Sequence, residues 1–119
     1  MTDFPSPHLA PFTRVGDLLL LSGQLALGPD DRIHGGTIEA QTDLVLDRIS
    51  MVLQGEGLTL ADVVKTTVWL VRTDDFSAFD RTYAARFGSH RPARSTVRAD
   101  LVLPGALVEI EAVAARPKP

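Results

Sequence analysis

The alternation of apolar and polar positions along the chain switches between a period near two and a period near three and a half. Phe12–Val15 and Leu18–Ser22 are short strand-like runs joined by Gly16-Asp17, the chemistry of a tight hairpin turn. Leu18–Leu21 carries no polar alternation, which predicts a central strand covered on both faces. Ser22-Gly23-Gln24 breaks that strand, and the turn residues Gly28-Pro29-Asp30-Asp31 and Gly35-Gly36 follow. From Thr37, a predicted N-cap, to about Gln54, the apolar positions Ile38, Leu44, Val45, Ile49, Met51, Val52 and Leu53 form a helical stripe. Asp43, Asp47, Arg48 and Gln54 fall outside it, and Gly55 and Gly57 end the helix.

The β-branched run Val63–Val71 predicts a strand with Val64, Thr66, Val68 and Leu70 on one face. Val63, Lys65, Thr67 and Trp69 take the other. A second helix, capped by Asp74 or Asp75, runs to Phe87 and stops at Gly88. Its aromatics Phe76, Phe79, Tyr83 and Phe87 recur at spacings of three and four, the pattern of a stripe packed on a sheet rather than a cofactor box. Arg94–Leu101 and Ala106–Arg116 are the last strands. In the final one, Val108, Ile110, Ala112 and Ala114 share a face, and Leu107, Glu109, Glu111, Val113 and Ala115 share the other.

The order β-β-α-β-α-β-β describes an α+β or mixed α/β sandwich with two helices on one face of a single mixed sheet. One domain is expected over residues 1–119, with 1–10 an extended segment and 117–119 a tail. The bare sheet face would carry Lys65, Trp69, Leu107 and Val113, which is too apolar for water and points to association with other copies. Composition sharpens this point. A 119-residue chain buries only about two-thirds of its unfolded surface, yet this one, 45% hydrophobic, has the apolar content of an average domain and no disulfide to staple it.

The net charge of −3 argues against a nucleic-acid partner, which selects for basic excess. Absence of cysteine removes thiolate catalysis and cysteine metal sites, and fits a reducing cytoplasm. The first residues carry prolines and no apolar run, and Leu18–Leu21 is far too short to cross a membrane, so a soluble protein is expected. The glycines match no phosphate-loop spacing, His8, His34 and His90 have no metal-ligand spacing, and Ser22 lies outside a GxSxG motif. Two groups remain. Arg94, in Arg91-Pro92-Ala93-Arg94-Ser95-Thr96, is either a carboxylate-gripping fork or a surface ion-pair partner. Glu109, alternating with apolar residues, is either a proton-transfer group with a raised pKa or a rim glutamate paired with a lysine.

Four segments together resemble the RidA (YjgF) family of reactive intermediate/imine deaminases. They are Ser22-Gly23-Gln24, Val64-Lys65-Thr66-Thr67-Val68, Arg91-Pro92-Ala93-Arg94-Ser95 and Val108-Glu109-Ile110-Glu111-Ala112, in the family's order and spacing. The resemblance extends from about Pro11 to Arg116. It implies a chorismate-mutase-like α+β fold, assembled as a homotrimer with a central barrel of sheets, helices outside and active sites between subunits. The implied reaction converts imines tautomerised from enamines, such as 2-aminoacrylate and 2-iminobutanoate, to 2-oxo acids and ammonia, without metal or organic cofactor.

Carried over, the resemblance makes Arg94 the substrate-carboxylate arginine, Glu109 the group that activates water and Ser22 a cleft residue. Three substrate-site positions depart from the family pattern. Phe12 replaces a tyrosine, Thr96 a cysteine and Asp80 an asparagine, and the segment between Phe87 and Arg94 is shorter. These departures bear on which substrate is accepted. Two further functions fit the same resemblance: a non-catalytic binder of small carboxylates, and an endoribonuclease or translation inhibitor, which the acidic balance disfavours.

Overall fold

The computed structural model describes residues 7–118, so most of the predicted extended segment over 1–10, and Pro119 of the tail, lie outside the described residues. Five strands form one sheet: β1 (Phe12–Val15), β2 (Leu18–Gln24), β3 (Val63–Leu70), β4 (Ala93–Arg98) and β5 (Val108–Ala115). Two helices, α1 (Ile38–Gln54) and α2 (Phe76–Phe87), pack on one face. The result is a mixed α+β layer with strand order β1-β2-β5-β3-β4. All neighbours are antiparallel except β3 and β4, which are parallel because α2 returns the chain to the start of the sheet. The hairpin between β1 and β2 needs a positive φ at its first turn residue, and Gly16 supplies it at 57°.

The core lies between the helices and one face of the sheet. Leu19, Leu21, Val68, Val108, Ile110 and Ala112 from the strands meet Val45, Leu46, Ile49, Leu53 and Phe79 from the helices. Thr37 caps α1, its hydroxyl accepting from the Ala40 N–H at 3.1 Å. Gln41 is buried in that helix. Its Nε2 donates to the carbonyls of Gly35 at 3.0 Å and Gly105 at 2.9 Å, and its Oε1 accepts from the Leu107 N–H at 2.8 Å. One side chain thereby fixes two loops and the entry to β5.

The structure corrects several sequence expectations. Leu18–Leu21 is not covered on both faces: Leu19 and Leu21 are buried, whereas Leu18 and Leu20 are 40% and 42% exposed. The helices shield only one side of the sheet, so an all-apolar run reads as central even where its second face is bare. Strand β2 also continues to Gln24 through an irregularity between Leu21 and Gln24 instead of ending at Ser22. In β3 the register shifts between Val63 and Lys65, so Val63 is buried with Thr66, Val68 and Leu70 while Val64 faces out.

The helices differ from expectation in detail. Met51 is 69% exposed on α1, and Leu46 takes its expected place in the core. Gly55 keeps a helical φ of −60°, and the left-handed residue ending that segment is Gly57 at 74°. Asp75 occupies the N-cap position of α2 without a side-chain hydrogen bond, because a 3-10 turn over Thr73–Asp75 precedes the helix. Phe76, at the first turn, is exposed while Phe79, Tyr83 and Phe87 are buried. Strand β4 stops at Arg98 and β5 begins at Val108, since Leu103-Pro104-Gly105 holds a wider loop than expected.

The open sheet face carries Leu18, Leu20, Val97, Trp69, Val113 and the Lys65 stem. Leu107 does not belong to it: it precedes β5 and packs against the core. Replacing Gln41 with leucine leaves the Leu107 N–H and two loop carbonyls without their partner. Urea unfolding is expected to show a loss of about 2 kcal/mol.

Candidate active site

Strand β4 is the edge of the sheet and pairs only with β3, where Arg94 stands in register with Thr66. In a parallel pair, residues in register share a face, and Thr66 is buried beneath α2. Arg94 therefore leaves the sheet toward α2 and crosses its aromatic stripe. The guanidinium carbon lies 4.8 Å from the Tyr83 ring centroid, 5.4 Å from Phe79 and 5.7 Å from Phe76. Arg94 Nη1 donates to Asp80 Oδ1 at 2.8 Å. The arginine side chain is 21% exposed and that of Asp80 48%. Tyr83 is itself fixed by a 2.7 Å hydrogen bond with Thr66 Oγ1, and burial pushes its phenol above the usual value against that bond.

A cleft of about 450 Å³ opens here, lined by Asp80, Tyr83, Phe87, His90, Arg91 and Arg94. Thr96 follows on the same face of β4, half-buried and in register with Val68. His90 is half-buried, and its Nε2 donates to the Val63 carbonyl at 2.6 Å. The cleft brings together Asp80 from α2 and Arg94 from β4, while Thr96, one position further along that face, does not line it.

Glu109 lies elsewhere. It pairs with Trp69 across β3 and β5 and points to the opposite, open face. Its carboxylate occupies the space where Gly23 would carry a Cβ, so the absence of a side chain at position 23 makes room for it. Burial, and then the charge of Glu111, push the Glu109 carboxyl above its ordinary pKa. Ser22 adjoins Gly23; its Oγ donates to the Ala10 carbonyl at 2.5 Å and its N–H to that of Pro11 at 3.0 Å. Phe12 pairs with Leu21 and packs against the core.

Within one chain, Arg94 and Glu109 thus lie on opposite faces of the sheet. The structure also supplies supports that the sequence pattern did not single out. Arg48, which falls outside the apolar stripe of α1, donates through Nε to Gln24 Oε1 and through Nη1 to the Leu27 carbonyl, both at 3.1 Å. Gln24 in turn donates to the Ser22 carbonyl at 3.2 Å, so α1 holds the irregular end of β2. An arginine four residues from Leu44 and one from Ile49 sits at the stripe's border, and that position was the available signal.

A second cavity, of about 590 Å³, is lined by Arg32, Gln41, Arg72, Leu103 and Leu107 among others, and contains none of the candidate site residues read from sequence. Among the described residues, no group of three or more His, Asp or Glu could hold a metal ion. No helix among them is long and apolar enough to cross a membrane.

Comparisons with known proteins agree with this architecture. The family model described as Endoribonuclease L-PSP matches residues 5–116. The chain is 38% identical over 112 residues to 3-aminoacrylate deaminase RutC of Acinetobacter baylyi, covering 91% of this chain and 89% of that one. It is 33% identical over 105 residues to 2-iminobutanoate/2-iminopropanoate deaminase of Escherichia coli, covering 86% and 82%. The crystal structure of Rv2704 from Mycobacterium tuberculosis, a member of the YjgF/YER057c/UK114 family, superposes with a TM-score of 0.79 at 36% identity, covering 88% and 84%. With most of its length matched by the family model and by relatives of this kind, the chain belongs to the RidA (YjgF) family.

Proposed function

We propose that this protein hydrolyses 2-imino acids, formed from enamines such as 2-aminoacrylate, to 2-oxo acids and ammonia. The observation that carries this reading is the Arg94 guanidinium, set over three aromatic rings in a cleft, with one N–H on Asp80 and its other donors unpaired among the described residues. A fixed, always-charged planar fork suits a small carboxylate, and holding it beforehand lowers the entropy lost on binding. The names of two relatives support the same class: both 3-aminoacrylate and 2-iminobutanoate join a carboxylate to an enamine or imine.

The chemistry asks little beyond position and one base. Water adds to C2 of the protonated imine, the C–N bond of the resulting carbinolamine breaks, and the 2-oxo acid and ammonium leave. Glu109 takes a proton from the attacking water and returns it to the departing nitrogen; its raised pKa suits both transfers near neutral pH. Ser22, Phe12 and Thr96 shape the substrate's surroundings, and no metal or organic cofactor takes part. The absence of cysteine suits a cytoplasmic setting for this work.

Arg94 and Glu109 meet only if they come from different copies. A head-to-tail ring places the edge of one protomer against the open face of the next, and a closed ring of three gives a homotrimer with a barrel of sheets inside and helices outside. The apolar face around Leu20, Trp69 and Val113 is then covered, which supports this arrangement. Arg94→Ala and Glu109→Ala are each expected to abolish release of 2-oxo acid from 2-aminoacrylate generated in situ. Subunits of the two variants, unfolded together and refolded at equal ratio, are expected to regain about a quarter of wild-type activity, since half the arginines meet half the glutamates. No recovery on mixing would place both groups in one chain's site.

A second reading has its own support. Within one protomer the Arg94 cleft lacks Glu109, so an arrangement that does not join the two would bind small carboxylates without turnover. Saturable 2-oxo acid binding, lost in Arg94→Ala and unaccompanied by catalysis in wild type, would establish that reading.

The acid limb of the pH profile is expected to follow Glu109. Its ionised form is the base, so activity falls as pH drops through the raised pKa. Glu111→Gln removes the neighbouring negative charge that helps raise it, so the limb moves to lower pH, yet stays above an ordinary glutamate because burial persists. Initial rates across the acid range check the direction of the shift.

A further inference from the structure

We propose that Asp80 reads the group on C2 of the bound acid, accepting a protonated nitrogen and rejecting a carbonyl oxygen, so that the site discriminates substrate from product. The inference rests on the deaminase reading for its substrate class. Its geometry rests on one contact, Asp80 Oδ1 on Arg94 Nη1 at 2.8 Å.

A guanidinium offers five N–H donors in a plane. Asp80 takes one, the faces of Tyr83, Phe79 and Phe76 pack against the group, and no other hydrogen bond engages it among the described residues. A ligand carboxylate therefore has a free donor edge and need not displace Asp80. Two anions then sit side by side on one cation, and the carbon next to the ligand's carboxylate lies within reach of the Asp80 carboxyl, which is half-exposed toward the cleft.

The atom attached to that carbon determines the sign of the contact. A protonated imine presents N–H groups and a positive charge to the aspartate, giving a charge-assisted hydrogen bond. A 2-oxo acid presents only lone pairs, and an ionised carboxylate has no proton to offer them. The other cations lining the cleft do not cancel this effect: Arg91 is exposed beside Pro92, and the His90 Nε2 proton is committed to the Val63 carbonyl. An asparagine at position 80 would carry an NH₂ and could donate to the carbonyl, so the ionised acid is what makes the contact one-sided.

The test is calorimetric titration of the assembled full chain with 2-aminobutanoate and 2-oxobutanoate, a pair matched except at C2. Wild type is expected to bind the amino acid at least tenfold more tightly than the oxo acid. Asp80→Asn is expected to cut that ratio by tenfold or more, mainly by strengthening oxo-acid binding, and Arg94→Ala to lose both ligands. Asp80→Ser, with melting curves on both variants, separates the charge from the fold, and it too should collapse the ratio. A wild-type ratio near one, a ratio unchanged in Asp80→Asn, or no binding of either ligand overturns the proposal. Because the measurement needs no turnover, a preserved ratio in a protein that releases no ammonia defeats the deaminase reading alone. Turnover without the ratio defeats this inference alone.

Discussion

The parallel pairing of β4 on β3 is the constraint on which the rest of the site depends. A parallel neighbour can be reached only through a crossover, and here the crossover is α2. The same helix that makes the pairing possible must lie over it, which brings Phe79, Tyr83 and Asp80 above the strand's second residue. Arg94 consequently meets an aromatic stripe and a carboxylate without any loop being needed to carry them there. The Thr66–Tyr83 hydrogen bond ties helix to sheet at that level and fixes the height of the rings under the guanidinium. Moving α2 by one turn would put Phe76 or Ala84 where Asp80 stands, leaving Arg94 its aromatic stripe but not its carboxylate.

The period of two along each strand then determines what this geometry can do. Arg94 and Glu109 both alternate correctly within their strands, and the register carries them to opposite sides of the sheet. An apolar open face, an edge strand with no second neighbour, and Arg94 and Glu109 on opposite faces are three separate properties of the single chain. The head-to-tail ring we propose would answer all three with one contact between copies. The surplus of apolar residues in so short a chain belongs to the same account.

Much of the layer was legible in the sequence because it depends on local signals: glycine turns, the Thr37 cap, and runs of alternating or helical period. The order of strands and helices followed from these. What was not legible depends on where neighbours stop. Leu18 and Leu20 look like core residues until the one-sided placement of the helices is known, and the slip at Val64 comes from a register shift that no residue type announces. Phe76 and Met51 fit their stripes by spacing, yet each lies beyond the edge of what the partner layer covers. In the site, Arg94 and Glu109 stood out as residue types, while their placement on opposite faces required the register. Gln41 and Arg48 bond to loop backbone distant in sequence, and Gln24 links Arg48 to the nearby Ser22 carbonyl; polar residues near an apolar stripe give little sign of such contacts beforehand.

The vacancy at Gly23 has a consequence for how damage to this protein would show itself. The space a methyl group would fill is taken by the flexible end of Glu109, not by backbone or packed core. An alanine there must push aside that carboxylate, the flexible end of a side chain, and meets no other atom as closely. Chains altered at that position would still accumulate and melt like the parent. Screens that judge variants by solubility or heat resistance would pass them, and under the proposed reaction only a measurement of turnover would register the change.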